Sequence, residues 1–271
     1  MTSPKESDLV DQRSPDQPKG INEILDEQIE SSLREFDRSN YGLFISAFAA
    51  GMEIGFSVML MGTVITGWSD SLTANHLHLI LALCYPLGFI FVIIGRSELF
   101  TEHTAMAILP MLNRSVSLKD LMTLWGLVYA GNLLGGYVFS IILALVAPKV
   151  GFIETADFEF LAFELTHYEW DTIFYSALIA GWMMGLLGWL VTSSQETLSR
   201  ILIIILITFS IGLAGLHHCV VGSIEVFLGL ITSPDIGLQD YLKFQIWATL
   251  GNAVGGAIFV SILKFSHIRL H

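Results

Sequence analysis

The chain has 271 residues, 53% of them apolar and only 14% charged, against roughly 25% charged in an ordinary soluble domain. A mean hydropathy of +0.65, with the apolar residues gathered in long uncharged runs, excludes the soluble globular, disordered and disulfide-stapled secreted classes and leaves a multi-span membrane protein. The net charge of -12, from 13 Lys and Arg against 25 Asp and Glu, argues against a nucleic-acid partner.

Residues 1–40 form an acidic arm of five basic and ten acidic residues. It contains Pro4, Pro15 and Pro18, and no short apolar stretch follows Met1, so a cleaved leader is not expected. Within it Ile21, Ile24, Leu25, Ile29, Leu33 and Phe36 recur at helical spacing, which predicts an amphipathic surface helix resting on the protein or plugging a pore mouth.

A hydrocarbon core about 30 Å thick needs about 20 apolar residues as helix, and six stretches meet this. The first runs from Tyr41 to Ile65 and holds one acid, Glu53. The second, His76 to Gly95, leads into the polar tract Arg96 to His103 and an apolar tail near Leu112, so it reads as broken. The third runs from Leu121 to Ala147 and is expected to stop at Pro148. An aromatic and acidic segment, Lys149 to Asp171, then forms an ordered outer cap. The fourth span is Thr172 to Thr192. The fifth starts at Ile201, is interrupted at His217 and His218, and resumes to Ile231. The sixth is Phe244 to Leu263. The predicted units are thus 1–40, 41–147, 148–171, 172–264 and a tail, 265–271. Cys84 and Cys219 lie inside apolar runs and read as small buried hydrophobes.

Ten of the thirteen basic residues flank the spans on the side of the N-terminus, which predicts that both termini are cytoplasmic in an inner (plasma) membrane. The remaining three are Lys149 and Lys243 on the opposite side and Arg96 inside a span.

Two segments recur. Gly131-Asn-Leu-Leu-Gly135-Gly136 returns as Gly251-Asn-Ala-Val-Gly255-Gly256, and Phe44-x-Ser46-Ala47-x-x-Ala50-Gly51 as Phe174-x-Ser176-Ala177-x-x-Ala180-Gly181. The pattern predicts a duplicated three-span unit. Three is odd, so the copies would enter the bilayer from opposite faces as an inverted repeat, with the small residues permitting close helix contact. Spans two and five are then counterparts, and broken helices near the midplane are where solutes are expected to bind. The ionisable groups at the breaks, Arg96, Glu98, Glu102, His103, His217, His218 and Glu225, should face a cavity or pair with one another. Arg96 is the expected partner of Glu98, Glu102 and Glu225.

The tracts Ser97-Glu98-Leu99-Phe100-Thr101 and His217-His218-Cys219-Val220-Val221-Gly222, with Tyr85-Pro86-Leu87-Gly88-Phe89 upstream, resemble those of the formate/nitrite transporter family. The likeness covers about Tyr41 to Leu263. It departs from the family pattern at Arg96 (usually Gly), Glu102 (small), His217 (Glu) and Gly222 (Asn), as in a divergent branch. The resemblance implies an all-α, aquaporin-like protomer with its own pore, assembled as a pentamer in the lipid bilayer. It places His218 opposite Thr101 at the pore centre and Tyr85, Phe89, Leu99, Phe100 and Ile211 at the apolar constrictions. It implies a channel-like transporter for small monovalent anions or their protonated acids, with no cofactor, resident metal or enzymatic activity. An aquaporin-like pore for a neutral solute is the related alternative, although Asn-Pro-Ala pairs are missing. An intramembrane metalloenzyme on His103, His217, His218, Glu98 and Glu225 is the alternative of another class, and the adjacent histidines make a poor ligand set.

Overall fold

The structure, a computed structural model, describes residues 18–258 and 264–269. Residues 1–17 of the arm, residues 259–263 of the sixth predicted span and residues 270–271 of the tail lie outside the described residues. All regular elements among the described residues are helices.

The amphipathic helix α1 spans Ile21–Phe36. Its Ile24, Leu25 and Ile29 are buried against Ala105, Leu109 and Trp189, so it packs on the protein along the predicted stripe. Helix α2, Asn40–Trp68, starts where the Ser39 hydroxyl accepts the Gly42 N–H at 3.1 Å, an N-cap for one of the unpaired donors of a first turn. The second predicted span divides into α3, Ala74–Cys84, and α4, Pro86–Gly95. Proline supplies no N–H, and at this kink Ser57 of α2 serves the freed backbone. Its hydroxyl donates to the Tyr85 carbonyl at 2.7 Å and accepts the Gly88 N–H at 2.8 Å. The break follows at 96–99, then α5, Phe100–Met106, and α6, Ile108–Leu112.

Helix α7 spans Leu118–Val150 and opens on a reciprocal cap between Ser117 and Asp120. The expected stop at Pro148 is corrected: proline in a last turn forfeits one bond, and the helix runs on until Gly151 turns left-handed at φ 87°. The predicted cap contains α8, Thr155–Thr166. Helix α9 is Trp170–Ser193, α10 is Thr197–Leu213, and a second break at 214–220 leads to α11, Val221–Thr232. Helix α12, Leu238–Ile258, and the short α13, Ser266–Arg269, complete the described chain.

Four helical stretches among the described residues are long and apolar enough to cross a bilayer, namely Asn40–Trp68, Ala74–Gly95, Leu118–Val150 and Trp170–Ser193; Thr197–Leu213 and Val221–Thr232 are apolar but shorter. The most extensive helix contacts join α2 with α7 and α9 with α12. They are close because the small residues of the repeated segments face the partner backbone. A Cβ on Gly135 would fall 2.0 Å from the Phe48 carbonyl oxygen, and one on Gly255 equally 2.0 Å from that of Leu178. The short helices cross between these pairs: α5 packs on α9 and α12, and α11 on α7 and α2. Both breaks therefore sit in the middle of the bundle. Large apolar side chains such as Leu145, Tyr175, Ile179, Leu202, Leu206 and Leu250 cover the exterior, as a lipid or subunit contact requires.

Candidate functional site

Two asparagines hold the breaks. Asn132 of α7 donates from Nδ2 to the carbonyls of Ala47 and Glu98, both at 2.8 Å, and its Oδ1 accepts the Phe100 N–H at 2.8 Å. Asn252 of α12 donates to the carbonyls of Ala177 at 2.7 Å and His217 at 3.0 Å and accepts the Cys219 N–H at 2.8 Å. Backbone freed from a helix must find partners at membrane depth; each Asn fills two such bonds, ties the loop to a carbonyl of the neighbouring helix, and leaves the residue between its two loop contacts, Leu99 in one loop and His218 in the other, to point into the bundle centre. Neither Asn was singled out for this role from sequence. The signal was present in the repeated Gly-Asn pair, which reads as plain helix packing until the contacts are seen.

His218 is buried at 1% exposure and Thr101 at 0%. His218 Nδ1 accepts the N–H groups of Val220 and Val221 at the start of α11, both at 3.3 Å, and Nε2 meets Thr101 Oγ1 at 2.9 Å. A nitrogen that accepts carries no hydrogen, so the network assigns the neutral tautomer with the hydrogen on Nε2, donated to Thr101. The Thr101 hydroxyl hydrogen has no acceptor among the described residues and is free to meet a solute. Phe89 stands edge-on to the imidazole, ring centroids 5.2 Å apart, with Tyr85 5.5 Å beyond it. Leu99 and Ile211 are fully buried in the same apolar core. Phe100 turns toward α7, its ring 4.8 Å from that of Tyr129 and 6.3 Å from that of Trp125.

The polar residues of the breaks do not form one network. Glu98 pairs with Arg38, from the segment just after α1, and with His103. Arg38 also donates to Glu35 at 2.6 Å; burial and the neighbouring Glu98 carboxylate push the Glu35 carboxyl above its ordinary value. The expected partnership of Arg96 with Glu98, Glu102 and Glu225 is corrected. Arg96 is exposed, in the left-handed conformation at φ 60°, and makes no ion pair with a described residue. The left-handed turn ending α4 aims its side chain outward, and Arg38 takes its place. Glu102, in the first turn of α5, is half-buried and has no hydrogen-bond partner among the described residues. His217 faces away from His218: its Nδ1 lies 2.9 Å from Ser176 Oγ and its Nε2 3.2 Å from the Leu165 carbonyl oxygen, joining α9 to the α8 cap. Gly222, where the family has Asn, lies under the Phe244 ring, which a Cβ would approach to 2.3 Å.

A cavity of about 730 Å³ opens on the α8 side. Its rim includes Ser69, Asn75, Glu164 and Tyr168, and its inner wall Tyr85, His218, Gly222 and Glu225. No Lys or Arg among the described residues lines it. Among the described residues no group of three His, Cys, Asp or Glu converges on a point suited to a metal.

The family described as formate/nitrite transporter matches residues 22–266. The chain belongs to that family. A relative described as "Inner membrane protein YfdC" of Escherichia coli K12 is 29% identical, over 98% of this chain and 83% of its own. Among solved structures, an "FNT family ion channel" superposes with a TM-score of 0.80 at 19% identity, covering 92% of this chain and 99% of that one. A "Pentameric formate channel with formate bound" gives 0.72 at 23% identity, covering 86% and 98%. The family fold thus extends over nearly the whole chain, both helix breaks included.

Proposed function

We propose that this protein is a channel-like transporter for small monovalent anions of the formate or nitrite kind, or for their protonated acids, each protomer of a pentamer carrying its own pore. Six spans in a three-plus-three inverted repeat, with both termini cytoplasmic, are the architecture this reading requires, and the matched bonds of Asn132 and Asn252 support it. The observation that carries the reading is the contact of His218 Nε2 with Thr101 Oγ1 at the foot of the cavity. An apolar neck of Tyr85, Phe89, Leu99 and Ile211, with Phe100 beside it, opposes a bare anion, whose desolvation is costly. A neutral imidazole N–H and a threonine hydroxyl offer the hydrogen bonds that compensate lost water without adding a permanent charge.

Proteoliposomes challenged with gradients of formate, nitrite, acetate, bicarbonate and glycerol test this. Uptake of formate or nitrite above that of protein-free vesicles is expected. Uptake of glycerol alone would turn the assignment to a neutral-solute pore. Thr101→Val removes one hydrogen-bonding group from the path, and a loss of about 1.5 kcal/mol lowers uptake about tenfold with the melting temperature unchanged.

A further inference from the structure

Glu225, like Glu102, belongs to neither the asparagine clamps nor the Arg38 cluster, and of the two it is Glu225 that lines the cavity. It lies in the second turn of α11 and lines the same cavity as His218, which sits in the break just before that helix. Its side chain belongs to the inner wall of the cavity while only 6% of the residue is exposed. It makes no hydrogen bond or ion pair with any described residue. A carboxylate at membrane depth is costly unless paired, and no Lys or Arg among the described residues lines this cavity. The titratable groups sharing the space are His78 of α3, Tyr85 at the α3–α4 kink, Glu164 of α8, Tyr168 beyond it and His218. Helix α2 contributes Met61 and α10 contributes Gly212 and Leu213; α7 and α12 contribute no lining residue. Glu225 therefore faces the cavity with no cation among the described residues to hold its charge.

His218 is badly placed to give up a proton. To carry a second hydrogen it would have to place it on Nδ1, against the N–H groups of Val220 and Val221. Yet a weak acid crosses the apolar neck far more easily as the neutral molecule. Some other group at the cavity must join proton to anion, and Glu225 is the buried, unpartnered carboxyl on the path toward His218.

We propose that Glu225 is the proton-carrying carboxyl of the pore. Resting on the anion-transport reading above, the step is a single proton transfer. The proton leaves a Glu225 carboxyl oxygen and joins the carboxylate oxygen of an anion arriving from the α8 side. The neutral acid moves on past His218 and Thr101, and the Glu225 carboxylate regains a proton from cavity water. One anion and one proton cross together, so the cycle moves no net charge.

The test is formate uptake into proteoliposomes at constant total formate, with the outer pH stepped and vesicle background subtracted. Between about pH 5 and pH 7 wild-type uptake is expected to stay nearly flat, whereas Glu225→Gln, dependent on free acid from bulk, falls about tenfold per pH unit. Glu225→Asp keeps the flat profile. A Glu225→Gln pore with the wild-type rate and profile overturns the proton role while leaving the anion reading intact; a wild-type protein that carries no anion overturns the anion reading and this step with it. Should Glu225→Gln fail to form its assembly, infrared spectroscopy of the wild-type protein decides. A protonated-carboxyl carbonyl band at neutral pH that shifts in Glu225→Asp supports the role, and its absence overturns it.

Discussion

Arg96 adopts φ 60° and ψ 41° directly after α4, a conformation that crowds any side chain with a Cβ and costs roughly 1–2 kcal/mol. The family's usual glycine at this position has that physical reason, which the sequence comparison alone could not supply. Arg96→Gly is expected to raise stability by about 0.5–1 kcal/mol once the freer unfolded chain is allowed for, read as a higher apparent melting temperature in detergent. A fall would show that the arginine side chain holds something. Asn252 lies at the other extreme: its replacement by Ala leaves the His217 carbonyl and the Cys219 N–H of the break unpaired in the interior, at roughly 1–3 kcal/mol each, and removes the tie to the Ala177 carbonyl of α9. Asn252→Ala should lower the melting temperature strongly, even though the side chain touches no solute. Thr101, His218 and the neck aromatics were legible because they stand inside recognisable motifs. The two asparagines and Ser57 were not, since their value lies in which broken backbone they meet.

At the scale of elements, the repeated small residues set how closely the helices approach. A Cβ on Gly181 would fall 2.2 Å from the Asn252 carbonyl oxygen, and one on Gly51 would fall 2.1 Å from that of Asn132. Backbone cannot swing aside as a side chain can, so Gly181→Ala must push α9 from α12 and disturb the residue that holds the second break. Gly126 of α7 meets nothing within 4 Å, and there the better helix propensity of alanine is worth about 0.5–1 kcal/mol. Opposite signs of melting-temperature change in Gly181→Ala and Gly126→Ala are expected, and equal losses would contradict the close-approach account. The sixteen-residue stretch from Ile21 to Phe36 was legible as a surface helix because amphipathic spacing is local information. That the residue just beyond its end, Arg38, closes on Glu98 sixty residues away was not, because an ion pair across the fold leaves no trace in spacing.

Taken whole, the molecule keeps a few polar groups buried at its two breaks and presents an apolar exterior, the reverse of a soluble domain. Exposed side chains on α7, α9, α10 and α12 must meet lipid or a second copy, and five copies around an axis is the assembly proposed above. Native mass spectrometry of the detergent-extracted protein is expected to read five chains; a stable monomer that transports anions would show that the assembly is dispensable to the pore. The acidic excess plays little part in this arrangement. Residues 1–40 carry five basic and ten acidic residues, and Lys149 to Asp171 one basic and six acidic, so the net charge describes an arm and a cap. The pore's chemistry depends on the few ionisable groups left between them.

The sequence by itself determined the class, the broken spans and the repeated segments, and the resemblance of its motifs to a family implied that His218 faces Thr101. Hydrophobic length, local periodicity and motif are all properties of neighbouring residues, and a bilayer amplifies them by penalising every misplaced charge. Only the tertiary structure decided which charges find one another. Glu98 turned to Arg38 and His103, Arg96 turned outward, and His217 bound to the cap, while Glu225 was left facing the cavity without a partner. Those outcomes depend on where two interrupted helices bring distant side chains, and helix crossing sets that distance, not sequence separation.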